Sequence, residues 1–262
     1  MGKFLVEGQR CLGGKVYING AKNSALKLMV AALLGQGKFT LENVPQIRDV
    51  HTMVGVLEAL GVRIYSDSRG MHLEVSSLQG HTPQELAKSM RASVQVMGPL
   101  LSRLGWVKVA RPGGCAIGTR PLDIHLSGLQ QMGATIDVQG DMFVARATRL
   151  HGADITFRYP SVGATENIMM AATLAKGETV IRNAAREPEI VDIQAFLNGM
   201  GAKIRGAGTS VIRISGVSEL GSTDFSVIPD RIEAGTYLLA LVITGGHGTL
   251  HNVIPEHLEP LL

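Results

Sequence analysis

The chain repeats itself with a period near 70 residues, and that self-similarity limits the folds open to it. A glycine that ends an apolar helix and starts a strand stands at Gly37, Gly105, Gly177 and Gly246, at intervals of 68, 72 and 69 residues. A second glycine closes the next helix in Leu60-Gly61-Val62, Met132-Gly133-Ala134 and Met200-Gly201-Ala202, at intervals of 72 and 68. Units recurring at this length each supply one supersecondary motif and bury a shared core by packing together. Each unit reads as helix, strand, helix and two strands. The first helices, over 24–34, 93–104, 165–175 and 234–244, are apolar nearly all round, as in Ala-Leu-Lys-Leu-Met-Val-Ala-Ala-Leu-Leu. Such helices are expected to be buried on every side. The second helices follow Pro45, Pro121, Pro188 and Pro255, and proline suits a helix's first turn. Alternating strands follow the second glycine. These elements predict an α/β fold of inside-out type, a barrel of repeated units with helices within and sheets without. Periodicity does not say whether each bundle closes.

Three complete units predict a first domain over 21–229. Ser226-Val227-Ile228-Pro229-Asp230-Arg231 reads as a crossover, because Pro-Asp opens a helix there. Residues 1–20 carry two short strands, over 4–6 and 16–18, and no helix pair, so they read as the tail of another unit. The fourth unit starts at Gly246, and by the repeat its second glycine falls near residue 270, beyond Leu262. The expectation is a C-terminally truncated chain, with 1–20 and 230–262 as two ends of an incomplete second domain.

Composition narrows the function. Hydrophobic residues make up 45% of 262, enough for a sizeable core. Lys and Arg total 25 against 22 Asp and Glu, a net +3, too small to argue for nucleic acid. Two cysteines and no apolar signal segment predict a cytoplasmic protein without disulfides. No apolar stretch approaches a bilayer span. The histidines show no metal-ligand spacing. There is no GxxxxGK[ST] loop, and Gly206-Ala207-Gly208 lacks the third glycine of a dinucleotide fingerprint. Neither a metal nor a cofactor is expected.

The chemistry concentrates in Arg111-Pro112-Gly113-Gly114-Cys115-Ala116-Ile117-Gly118-Thr119-Arg120. Glycines let the backbone approach a ligand closely. Flanking guanidinium groups favour the reactive thiolate of Cys115 and match carboxylates or phosphates. The loop alone does not distinguish a nucleophile from a general acid. Lys22-Asn23 stands at the mouth of the first apolar helix, as an anion site or as a solvated lysine beside a capping asparagine. Arg91 holds a similar place in the second unit, as an anion ligand or a surface ion pair. Arg120-Pro121-Leu122-Asp123-Ile124 starts a helix. Its guanidinium and proline ring can sandwich a flat base and Asp123 can accept from it, or Asp123 simply favours the helix dipole. Ser161-Val162-Gly163 precedes another apolar helix, as a ligand-binding turn or a plain one.

Taken together, Asn19-Gly20-Ala21-Lys22-Asn23, Met90-Arg91-Ala92-Ser93, the 112–125 stretch, Ser161-Val162-Gly163-Ala164-Thr165 and Asn183-Ala184-Ala185-Arg186-Glu187-Pro188-Glu189 resemble the UDP-N-acetylglucosamine 1-carboxyvinyltransferase family of enolpyruvyl transferases, along essentially the whole chain. The resemblance implies two similar domains of three units each, roughly 420 residues in all, with the first whole here. It implies transfer of the enolpyruvyl group of phosphoenolpyruvate to the 3′-hydroxyl of UDP-N-acetylglucosamine with release of phosphate. That reaction begins peptidoglycan precursor synthesis, and so serves cell-wall biogenesis, cell shape and cell division. It implies Cys115 as proton donor to the enol carbon. Lys22, Asn23 and Arg120 would hold phosphoenolpyruvate. Arg91, Arg120, Pro121, Leu122, Asp123, Ile124, Ser161, Val162 and Gly163 would hold the UDP-sugar. It further implies small-molecule partners only, a monomer when complete, and a general base beyond residue 262, so that this chain alone has little turnover. Two alternatives stand beside it: a non-catalytic UDP-sugar-binding relative, and 5-enolpyruvylshikimate-3-phosphate synthase, against which the Cys115 loop and Arg120-Pro121 argue. A thiol redox role lacks a resolving cysteine near Cys115.

Overall fold

The computed structural model describes residues 3, 5–8, 10–82, 91–111 and 122–262. After β1 (Gly13–Tyr17), the first unit runs α1 (Lys22–Ala31), β2 (Gly37–Glu42), α2 (Arg48–Ala59), β3 (Arg63–Asp67) and β4 (Gly70–Val75). The second runs from a 3-10 turn, Arg91–Val96, into α3 (Met97–Leu104), β5 (Trp106–Ala110), α4 (Asp123–Gln131), β6 (Thr135–Gln139) and β7 (Met142–Arg146). After β8 (Asp154–Thr156), the third runs α5 (Val162–Ala172), β9 (Glu178–Arg182), α6 (Pro188–Gly199), β10 (Lys203–Arg205) and β11 (Val211–Ser215). Then come β12 (Asp224–Ser226), α7 (Arg231–Ile243), β13 (His247–His251) and a 3-10 turn, Pro255–Leu258.

Within every complete unit the last strand lies between the other two, in the orders β2-β4-β3, β5-β7-β6 and β9-β11-β10, all antiparallel. The chain leaving each unit then adds a parallel pairing to the sheet of the next. His81 bridges to Lys108 on β5, β8 pairs with β9, and β12 pairs with β2. The last pairing returns the third unit to the first, and the ring of three is closed. β1 holds on β13 the same parallel relation, with Gly13 opposite His247.

The repeated residues have repeated reasons. Gly61, Gly133 and Gly201 have φ of 97°, 96° and 104°, a region costly for any residue with a Cβ. Asn43, Asn183 and Asn252 have φ of 56°, 54° and 56°, and asparagine tolerates left-handed backbone better than most residues. Each also uses its side chain: Nδ2 donates to Val227 O at 2.8 Å, to Phe157 O at 2.9 Å and to Ile18 O at 2.7 Å. Those carbonyls follow β12, β8 and β1, so the asparagines tie the incoming strand to each sheet.

α1 and α5 are buried along nearly their whole length, within one continuous apolar cluster that includes Leu28, Met29, Met97, Ile168 and Met170. The helices begin earlier than the apolar pattern suggests, α1 at Lys22 and α5 at Val162. Ser161 Oγ accepts from Ala164 N at 3.4 Å and caps α5. α1 is capped at Ala21 without a side-chain bond, so Asn23 is not its cap. Two further expectations need correction. Residues 5–8 form no strand, because nothing among the described residues pairs with them; the N-terminal strand is Gly13–Tyr17. And α7 is not buried on every side: only Ala234 and Gly235 are buried, while Leu239, Val242 and Ile243 are exposed. It packs chiefly on β13 and the 255–258 turn, in a small separate cluster of Ile18, Ala234 and Leu258.

The closing joint can be tested. Asn43→Ala removes the bond to Val227 and forces a Cβ residue without local polar compensation into left-handed backbone, for a loss of about 2 kcal/mol. Asn43→Gly keeps the conformation and should lose about half as much. Urea midpoints of the two variants decide it, and equal losses would refute the conformational part.

Candidate active site

The Asn-Gly-Ala-Lys-Asn turn is clamped before it reaches any ligand. Gly20 forms an antiparallel bridge with Pro229, and a Cβ on Gly20 would overlap Asn43 O. Ala21 N donates to Ile228 O at 2.7 Å and Asp230 N to Asn19 O at 2.8 Å. Asp230 caps α7 through Oδ1, accepting from Ile232 N and Glu233 N, while its Oδ2 accepts from Lys22 N at 3.1 Å. Lys22 Nζ extends to Asp49 Oδ2 on α2 at 3.2 Å, half exposed. The lysine is therefore held at the mouth of α1 by a screened ion pair that an incoming anion can replace.

Ser161, Val162 and Gly163 form the start of α5, each half-buried. A Cβ on Gly163 would crowd Gln95 Nε2 at 3.1 Å and the His125 ring at 3.3 Å. The Gly163 turn thus lies against both the start of α4 and the segment that Arg91 opens. Leu122 caps α4 from outside the helix, Asp123 leads its first turn and Ile124 is buried beneath. Asp123 Oδ2 pairs with Arg158 Nη2 at 2.6 Å. Beside them lies a cleft of about 260 Å³, lined in part by Asp123, Ile124, Phe157 and Arg158. Its carboxylate, guanidinium and apolar floor suit a flat polar ring. Cys115, Arg120 and Pro121 lie outside the described residues, and Arg91 is described by its backbone alone, which opens the 3-10 turn.

Under these segments lies a polar layer that the sequence reading did not single out. Glu166 on α5 is wholly buried and pairs with Lys27 Nζ on α1 at 2.8 Å. Gln95 Nε2 donates to Glu166 Oε2 at 3.3 Å and to Gly163 O at 3.0 Å. Asn167 Oδ1 accepts from Gly98 N at 2.9 Å, and its Nδ2 meets His125 Nδ1 at 3.2 Å. A signal was available: Lys27, Gln95 and Asn167 each stand ten residues before Gly37, Gly105 and Gly177. They hold one repeat position, in α1, in the 3-10 turn ahead of α3 and in α5, each next to a run of apolar residues.

A second buried group lies at the base of α1. Ser24 Oγ donates to Asp192 Oδ2 on α6. Burial pushes the Asp192 carboxyl up to about 6, with Glu189 adding to the shift and bonds from Ser24 and Ile228 N opposing it. Glu189 itself is buried and pairs with Arg231 Nε at 3.2 Å. A carboxyl raised in the folded state favours folding at low pH. Its contribution is complete below the unfolded value near 3.8 and is lost as pH rises through about 6. Between pH 4 and 7 the wild type should therefore lose up to about 3 kcal/mol relative to Asp192→Asn. Urea unfolding of both proteins across that range measures the difference. A constant gap would mean that Asp192 ionises as it does in water.

Comparison with known proteins follows the same lines. The sequence matches the family model for EPSP synthase (3-phosphoshikimate 1-carboxyvinyltransferase) over residues 6–261. It is 50% identical to UDP-N-acetylglucosamine 1-carboxyvinyltransferase 2 of Carboxydothermus hydrogenoformans, aligning 100% of this chain with 63% of that protein. It is 51% identical to UDP-N-acetylglucosamine 1-carboxyvinyltransferase 1 of Symbiobacterium thermophilum, over 98% of this chain and 60% of that one. The chain thus spans 60–63% of the length of these curated relatives. Its fold resembles the enolpyruvyl transferase NikO from Streptomyces tendae with a TM-score of 0.78, at 23% identity over 88% of this chain and 55% of that one. It also resembles EPSP synthase from Acinetobacter baumannii with a TM-score of 0.67, at 18% identity over 88% and 53%. The α/β enolpyruvyl transferase fold and the sequence match agree: this chain belongs to the EPSP synthase (3-phosphoshikimate 1-carboxyvinyltransferase) family of enolpyruvyl transferases.

Proposed function

We propose that the protein to which this chain belongs transfers the enolpyruvyl group of phosphoenolpyruvate to the 3′-hydroxyl of UDP-N-acetylglucosamine, releasing phosphate. The observation that carries this reading is the identity of about one residue in two to relatives bearing that transferase name, over essentially the whole chain. The reaction belongs to peptidoglycan precursor synthesis, which takes place in the cytoplasm; no helix of the described residues is long and apolar enough to cross a membrane. Relatives at similar identity with the shikimate activity would favour the other branch of the family; the two curated relatives at about 50% identity carry the UDP-sugar name, and the EPSP synthase compared above is 18% identical.

In this reading each group has a physical task. Cys115 protonates the enol carbon, creating an electrophilic centre for the sugar hydroxyl, and so must carry its proton at the moment of reaction. Lys22 and Asn23, with Arg120, hold the carboxylate and phosphate of phosphoenolpyruvate. The Lys22–Asp49 pair keeps the ammonium extended at 3.2 Å until the anion takes its place. Arg91, Arg120, Pro121, Leu122, Asp123 and Ile124 hold the UDP-sugar together with Ser161, Val162 and Gly163. The cleft of about 260 Å³ at Asp123 and Ile124 supports a place for the base. We assign 21–229 to one domain, and 1–20 with 230–262 to another. The two apolar clusters and the β1–β13 pairing support that division. The chain spans 60–63% of the length of its curated relatives, and we expect it to bind the UDP-sugar with little turnover by itself.

Titration calorimetry on the chain should show UDP-N-acetylglucosamine binding in preference to shikimate 3-phosphate. The reverse preference would overturn the assignment. In a full-length protein, Cys115→Ser should lower phosphate release by about 10²- to 10⁴-fold, the range of a lost proton donor. Phosphate release by the 262-residue chain that Cys115→Ser abolishes would refute the expected lack of turnover.

A further inference from the structure

Glu166 is a costly residue to bury. It is 0% exposed, and its Oε1 has no hydrogen-bond partner among the described residues. Burial pushes its carboxyl up, and the Lys27 ammonium opposes that shift. Two donors, Lys27 Nζ and Gln95 Nε2, converge on the other oxygen, Oε2, at 2.8 and 3.3 Å. Two donors on one oxygen identify that oxygen as an acceptor without a proton. A half-satisfied buried ion pair is weak evidence for stability, and apolar residues of similar volume usually serve a core as well or better. Its value must lie in what it holds.

What it holds is specific. Lys27 Nζ also reaches Asn23 O at 3.5 Å. Gln95 Nε2 also donates to Gly163 O at 3.0 Å, and Gln95 belongs to the turn that Arg91 opens. One carboxylate oxygen thus joins three segments far apart in sequence: the Lys22–Asn23 start of α1, the Arg91 turn and the Ser161–Gly163 turn. We infer that Glu166, acting through Lys27 and Gln95, is a positioning residue that fixes the spacing between the phosphoenolpyruvate and UDP-sugar segments. The inference rests on the substrate assignment above for its ligand, and on geometry alone for the coupling of the three segments.

The test separates support of the fold from placement of ligand groups. Lys27→Met leaves Glu166 buried without its cation and should lower the thermal midpoint sharply. Lys27→Met/Glu166→Met removes both charges and should return the midpoint to within about 3 °C of the wild type. The double variant should nevertheless bind UDP-N-acetylglucosamine roughly tenfold to a hundredfold more weakly, the scale on which misplaced binding groups act. Amide exchange in 22–25, 94–96 and 162–165 should quicken together in that variant, while 168–172 stay protected. A double variant with wild-type stability, wild-type affinity and unchanged exchange would overturn the proposal. A wild-type chain that fails to bind the UDP-sugar would sink the functional reading alone, and the exchange data would still decide the coupling.

Discussion

Three β-strand pairings made by the outgoing chain hold the repeat architecture together, and the decisive one is β12 on β2. A single helix–strand–helix–hairpin unit cannot bury its own apolar helix, so each depends on its neighbours. His81 on β5 and β8 on β9 carry the chain forward from unit to unit. Without Asp224 opposite Thr40 the arrangement would be an open stack with two raw ends. With it, α1, α3 and α5 face one another across a common core. α7 shows the counterexample within the same molecule: a comparably apolar helix, Ala-Gly-Thr-Tyr-Leu-Leu-Ala-Leu-Val, with few elements against it and its apolar side chains in solvent.

Closure also places the polar groups. Because the three first helices meet along one core, a residue at one repeat position is brought close to its counterparts. Lys27, Gln95 and Asn167 share that position and form the layer around Glu166. The layer lies below the helix starts where the candidate ligand segments are. Repetition therefore does two things: it builds the wall of the bundle and it gathers unlike polar residues at one end. Asp192 beneath Ser24, and Glu189 with Arg231, extend the charged floor towards the crossover.

Much of this was legible in the residues. The glycines at 61, 133 and 201 marked the ends of the second helices, and the structure has positive φ at each, a region strained for any residue with a Cβ. Pro188 started a helix, as its fixed φ requires. The Pro-Asp crossover capped α7. Ring closure was not legible, because hydrogen bonding of a three-residue strand such as Asp224–Ser226 leaves no periodic trace. The helix starts were missed by a few residues for a related reason: Ala21 caps α1 without a capping side chain, held instead by Ile228. The buried charges were masked by their surroundings, since one lysine or glutamate barely alters the apolar character of a ten-residue helix. Of the candidate site, the Lys22, Asp123 and Gly163 segments converge through Gln95, His125 and Lys27.

The clamp between Asn19–Ala21 and Ile228–Asp230 has a mechanical meaning. Two strands of backbone cross there side by side, bonded from Ala21 to Ile228 and from Asp230 to Asn19. A lone tether would let whatever lies on either side swivel freely. Two backbone bonds running in opposite senses around the Gly20–Pro229 bridge fix the crossing in one register, where a single bond would leave it free to pivot. Lys22, bonded to that ribbon through its own amide and Asp230, is placed by the crossover as much as by the helix it opens.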